Sequence, residues 1–198
     1  MGHASSQFAG MARAIVPGAM TLALVLGLGI FSSRAAAQGK HSIPEEHQLK
    51  AAFVYNLIPF VEWPAEATGG PLVVGFAGEG PMEAALRSFL KEQGTRSPGI
   101  EMRVVHGRNE LRACHVLFLA YPDSSRMREA LAQLHGASVL TIGDGAEFVR
   151  MGGVIGFEAQ GNKLRLLVNP AAAQRARLRI SARLMSMSTP VAEEFWKD

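Results

Sequence analysis

Cys114 and His115 are neighbours, and a thiol beside an imidazole is the composition of a nucleophile–base pair. Adjacent residues of a strand point to opposite faces, so these two cannot meet through that adjacency. Cys114 is the only cysteine, which excludes an intrachain disulfide. The other histidines after residue 37 are His41, His47, His106 and His135. Several would have to converge to hold a metal, and nothing in their spacing requires it. Gly75, Gly78 and Gly80 stand between a strand-like and a helix-like run, where phosphates often bind. Their spacing is not G-x-G-x-x-G, and Pro81 removes one backbone donor, so a tight turn is the better reading. Asp144 and Glu147 open a short helix, where carboxylates complement the helix dipole. There is no G-x-S-x-G, H-E-x-x-H, G-x-x-x-x-G-K-[ST] or C-x-x-C. No catalytic residue, metal or cofactor is assigned, and an enzyme is not expected.

Arg175, Arg179 and Arg183 carry the clearer pattern. They are four apart, and a helix from Ala171 to about Ser188 would line them on one face, with Ile180, Leu184 and Met187 on another. Such a stripe is either a solvated face or a docking surface for an acidic partner or anionic head groups.

The elements that must position these residues alternate. Ser42, Pro44 and Glu45 form a helix start with a capping box. Leu49, Phe53, Leu57 and Phe60 then share a helical face, which Pro59 should kink and Trp63-Pro64 should end. Strands are expected at 72–77, 102–105, 114–120 and 138–142, with helices over 81–93, 109–113, 123–135 and 143–151 between or after them. Residues 154–159 and 164–168 read as a hairpin. This order predicts an α/β fold: one compact domain, a mainly parallel sheet with helices on both faces, and a C-terminal antiparallel hairpin.

Arg13 precedes an 18-residue run without charge, Ala14 to Phe31, and Ala35-Ala36-Ala37 follows. The pattern is that of a cleaved secretory signal. A retained membrane helix is the alternative; Pro17, Gly18, Gly27 and Gly29 weaken it. The expected organisation is a signal peptide over 1–37, a mobile segment over 38–44, a domain over 45–190 and a tail over 191–198. Beyond residue 37 the chain holds 18 basic and 17 acidic residues, so the pI near 9.4 gives no concentrated basic surface for nucleic acid. With no cysteine after the apolar run, a lipid anchor is not expected, and the reading is a free periplasmic domain.

Four segments in order resemble the YfiR family of periplasmic proteins. They are Leu49–Leu57 continuing through Phe60-Val61-Glu62-Trp63-Pro64; Val116–Leu119; Leu140–Asp144 with Phe148 and Gly152–Phe157; and Leu164–Asn169 followed by an alanine-rich stretch and Leu178–Leu184. The resemblance implies a compact, often dimeric α/β domain and a regulator rather than an enzyme. Its partner would be the periplasmic domain of a membrane-bound diguanylate cyclase or sensor kinase, with consequences for cyclic-di-GMP and biofilm formation. An outer-membrane lipoprotein would sequester the repressor. The resemblance also implies disulfides. Cys114 matches one such position, while Val74–Phe76 and Val149–Phe157 lack the cysteines seen in the family. Pro59 stands where a helix-friendly residue is expected, and Arg177 where glycine is. The alternative function is a soluble receptor for a small ligand, bound at the C-terminal ends of the parallel strands.

Overall fold

The structure is a computed structural model describing residues 43–94, 99–161 and 163–192. The expected signal peptide and most of the segment before residue 45 lie outside the described residues. No described helix is long and apolar enough to cross a membrane.

The chain opens with helix α1 (Ile43–Leu57), which runs into a 3-10 turn over Ile58–Phe60 and a short strand β1 (Val61–Glu62). Pro59 therefore converts the helix to a tighter turn instead of kinking it, since its ring removes a donor from the next turn. Strands β2 (Leu72–Gly78), β3 (Ile100–Val104), β4 (Val116–Ala120), β5 (Leu140–Asp144) and β6 (Ile155–Gln160) follow, separated by α2 (Met82–Gly94), α3 (Arg108–Arg112), α4 (Ser124–Gln133) and α5 (Gly145–Arg150). All five strands pair in parallel, in the order β3-β2-β4-β5-β6. The hairpin partner β7 (Lys163–Val168) is antiparallel to β6, as expected.

Alternate residues of the parallel strands feed two cores. Val74, Phe76, Phe118, Ile142 and Phe157 point to the face covered by α1 and α2. Phe76 and Phe118 stack at 6.2 Å, Phe118 and Phe157 at 6.4 Å, and Phe53 of α1 meets Phe157 at 6.1 Å. Val73, Ala77, Leu117 and Leu119 point to the other face, under α3, α4 and α5. A fully buried aromatic or aliphatic side chain contributes about 1.5–3 kcal/mol, so these alternating rows are what hold the sheet between its helices.

The buried stripe of α1 is Lys50, Ala51, Val54 and Leu57, and Leu49 is exposed, not on the core face as its spacing predicts. The helix is rolled by a charge. Lys50 is 6% exposed, and its Nζ lies 2.7 Å from Glu46 Oε1 and 2.8 Å from Asp144 Oδ1. Burial disfavours the ammonium, but hydrogen bonds and attraction from Asp144 and Glu46 outweigh that and raise its pKa above the usual 10.5.

The largest departure from the sequence reading is the final helix. A single helix over 171–188 does not form. Helix α6 spans only Pro170–Arg175, capped by Asn169. At Arg177 the backbone turns left-handed, with φ at 57°. The Leu178 amide donates to the Ala173 carbonyl and the Arg177 amide to that of Gln174, both at 2.9 Å, which is a Schellman ending. Strand β8 (Arg179–Ile180) pairs antiparallel with β1, and Ser181 caps helix α7 (Ala182–Ser186). Strand β9 (Thr189–Pro190) then joins β7 in parallel and closes the sheet edge.

Two outcomes test these contacts. A left-handed non-glycine residue costs about 1–2 kcal/mol, so Arg177→Gly should exceed Arg177→Ala in urea-unfolding stability by about 1 kcal/mol. Both variants lose the exposed pair to Glu66, which removes that pair from the comparison. For Lys50, losing either acid leaves a buried cation with one partner. Asp144→Asn should therefore be more destabilising than Lys50→Met, which replaces the charge by an apolar chain. Because the folded pKa is raised, the stabilisation from Lys50 is complete below pH 10.5 and is lost only as pH climbs through the higher folded value. Alkaline unfolding curves of the parent and Lys50→Met should converge there.

Candidate functional site

Cys114 and His115 end in separate structural roles. His115 Nδ1 accepts the Val73 amide at 3.0 Å, which places the ring proton on Nε2, and Nε2 donates to the Ala67 carbonyl at 2.6 Å. Trp63 Nε1 donates to the His115 carbonyl at 3.2 Å, and the two rings meet edge to face at 6.3 Å. Both imidazole nitrogens are thus spent on clasping 63–67 to β2 and β4. Cys114 Sγ lies 3.3 Å from the Glu110 carbonyl, and the residue is 4% exposed. Burial pushes its thiol pKa up to about 11, so it stays protonated and inert at neutral pH.

The acidic turn is occupied too. Asp144 makes no side-chain cap on α5; its carboxylate holds Lys50. Glu147 Oε1 accepts from Ser124 Oγ at 3.2 Å, tying α5 to the start of α4. Lys50 is the residue that sequence reasoning missed: a lysine four residues after Glu46 reads as an ordinary exposed helix pair, and its second partner is remote in sequence. Gly143 and Gly153 are required by a different neighbour. A Cβ at either would lie under 3.0 Å from the Phe148 ring.

The glycine turn after β2 binds the protein itself. A Cβ on Gly78 would lie 2.3 Å from the Ala120 carbonyl oxygen, and the Glu79 amide donates to that oxygen at 3.2 Å. The strand order reverses between β2 and β4, so this turn stands at the C-terminal ends of the strands, where a ligand of a doubly wound sheet would enter. Among the described residues, a cavity of about 550 Å³ lies between the end of β3 and α3, beside Arg103, Val105, Asn109 and Glu110, and others open elsewhere. One of about 290 Å³ is lined by Leu131, Leu134, Met151, Val154, Ala172 and Arg175, at the N-terminal ends of β5 and β6. Another of about 330 Å³ lies beside Arg112, His115, Ser138 and Arg177. Ser138 Oγ is buried there without a hydrogen-bond partner. No group of three or more metal-ligating side chains occurs among the described residues.

The arginine stripe is corrected by the break at Arg177. Arg175 closes α6 and lines the 290 Å³ cavity. Arg179 and Arg183 instead flank the first strand. Arg179 Nε lies 3.6 Å from Glu62, and the Arg183 guanidinium stands 5.7 Å over the Phe60 ring. Arg177 pairs with Glu66 at 2.7 Å. Met187, assigned to the core by its spacing, is 56% exposed just past the end of α7, the helix that carries Arg183. Two arginines and an aromatic ring therefore gather around the β1–β8 ribbon, and a bare methionine follows Arg183 by four residues. The absence of glycine at position 177 hid the break; glycine there, as the family resemblance implied, would have marked it.

The fold and this arrangement define a doubly wound α/β domain whose polar side chains serve structure and whose exposed basic and apolar groups face outward. A model of the YfiR/HmsC-like family matches residues 47–189, and the chain belongs to that family. The family as a whole is one of periplasmic regulators of diguanylate cyclases. No curated protein sequence matches the chain. Among solved structures it is similar to a conserved domain protein from Vibrio cholerae O1 biovar El Tor strain N16961, at 13% identity and a TM-score of 0.51. That match covers 74% of this chain and 60% of the other, so this chain spans about three fifths of its relative's length. An ABC domain from Streptococcus pneumoniae, solved with L-Trp, matches at 10% identity and a TM-score of 0.45, over 73% of this chain and 60% of the other. At such identities the first likeness is one of fold alone.

The disulfide position that the resemblance implies has a geometric test. A Cβ on Gly75 would lie 3.4 Å from Cys114 Cβ and 2.4 Å from its Sγ, close to the span of a disulfide. Gly75→Cys should oxidise readily, leave no free thiol by mass spectrometry, and gain about 2–4 kcal/mol that reductant removes. Gly75→Ala, which adds the same clash without the bond, should be destabilised.

Proposed function

We propose that the protein is a periplasmic regulator that binds the sensory part of an inner-membrane signalling enzyme, in the first place a diguanylate cyclase, and restrains it. The observation that carries this reading is the family match across 47–189. Restraint requires only differential affinity: a protein that binds the inactive state of its receptor better than the active one shifts the population towards inactivity. An outer-membrane lipoprotein that bound the same domain would reverse that shift. The proposed docking surface is the β1–β8 ribbon with Arg179, Arg183 and Met187. Arg175, first grouped with them, lies across the Schellman turn and is a lesser contributor. Exposed methionine adapts to varied apolar partners, and arginine pairs well with carboxylates.

The test is capture of membrane proteins by the tagged domain, followed by binding to the captured receptor domain. A single exposed charge pair contributes only ~0.2–1 kcal/mol. The double variant Arg179→Glu, Arg183→Glu should therefore bind roughly three- to tenfold more weakly, chiefly through slower association, with the difference shrinking as salt is raised. Equal binding by a folded double variant would remove this surface from the proposal, and failure to capture any signalling enzyme would remove the proposal itself.

A further inference from the structure

The main sheet ends unequally. β9 at one edge has two residues, one of them Pro190, which has no N–H to offer a neighbour. β3 at the other edge has five, and it pairs only with β2. The Leu72 amide donates to the Gly99 carbonyl at 2.7 Å, and the Val105 amide to the Phe76 carbonyl at 2.9 Å. Hydrogen bonding in a parallel ladder uses alternate residues of a strand, so Glu101 and Arg103, in step with Gly99 and Val105, also turn their backbone towards β2. The N–H and C=O groups of Ile100, Met102 and Val104 therefore point away from the sheet, and no described residue pairs with them. Such an edge is a template for a further strand. We propose that a second copy of this chain pairs there, β3 against β3, antiparallel about a two-fold axis at Met102.

The strand is its own complement in that register. Met102 faces the partner's Met102 and Ile100 faces the partner's Val104, and each such pair exchanges both N–H···O bonds. Glu101 then faces the partner's Arg103 in the pairs between, where the Cα atoms come closest, at about 4.5 Å. Sliding one strand by two residues either way sets Glu101 against Glu101 or Arg103 against Arg103, so charge selects one register. Within the single chain Glu101 and Arg103 hold each other at 2.6 Å, both about half exposed. Pairing gives each a second opposite charge and closes a ring that alternates in sign. Edges guarded against association carry charge, proline or a bulge; here the charges are one of each sign on one face, which two copies satisfy mutually. On the other face Ile100 and Met102 are half-buried beside the core of α1 and α2, and the apolar surface they leave would be covered by the same residues of the second copy.

Sedimentation of the purified protein over a range of concentrations should show a monomer–dimer equilibrium, and exchange of the Ile100, Met102 and Val104 amides should slow as the dimer fills. Glu101→Arg and Arg103→Glu each set like charges opposite one another, and each should weaken self-association by roughly tenfold or more. An equimolar mixture of these two variants should pair again, since every acid then faces a base. The double variant Glu101→Arg, Arg103→Glu should recover dimerisation by itself, which separates lost charge matching from lost folding. Met102→Pro removes an outward N–H that β2 does not use, so the monomer should keep its circular dichroism while the dimer is lost. A parent that stays monomeric up to its solubility limit overturns the proposal and leaves the edge to an extended segment of a different protein. A dimer that these variants leave at full strength, or one in which the three amides exchange as in the monomer, overturns it equally.

Discussion

One buried amide organises the last third of the chain. Asn169 is fully buried, and its position ends β7 and begins α6. Its Nδ2 donates to the Val149 carbonyl at 3.1 Å, its Oδ1 accepts the Ala172 amide at 2.9 Å, and its backbone amide donates to Val154 at 2.9 Å. A buried amide left unpaired would cost about 1–3 kcal/mol per group, so the end of α5, the start of β6 and the start of α6 must stay in register with it. Pro170 follows with a fixed φ suited to a first helical position. The direction of α6 then determines where the Schellman turn falls, and hence where β8 meets β1.

At the opposite end of the strands, Lys50 plays a comparable part with charge. It draws α1 against β5 through Asp144, and the aromatic row Phe76, Phe118, Phe157 and Phe53 fills the space beneath. Each of these devices uses a polar group that the sequence offers as a candidate for chemistry. Asp144, Glu147, Cys114 and His115 are all absorbed by packing or hydrogen bonds, which is why the outward-facing residues are where recognition is sought.

The alternation of β2 to β7 with α2 to α5 was legible because each element is bounded by local signals. Asp123 caps α4 by accepting the Ser125 and Arg126 amides, and Asn169 caps α6 in the same manner. Element boundaries moved by at most two residues without changing the topology. The segment after Arg175 was not legible. Its residues favour helix, and Arg175, Arg179 and Arg183 at intervals of four imitate one helical face. The event that breaks it is a left-handed arginine, held by a strand pairing with Val61 and Glu62 far away in sequence. Strands of two residues have no periodicity to detect, so β1, β8 and β9 could not be seen. The roll of α1 escaped for a related reason, since Lys50 is buried by a partner outside its helix.

The β1–β8 ribbon has a further consequence for how the protein folds. Glu66 and Arg177, beside that ribbon, are 111 residues apart. Closing a loop of that length costs conformational entropy that two residue pairs repay poorly on their own. The ribbon is therefore a product of the sheet already assembled between its halves, and it ties the first and last described segments together only once that sheet is in place.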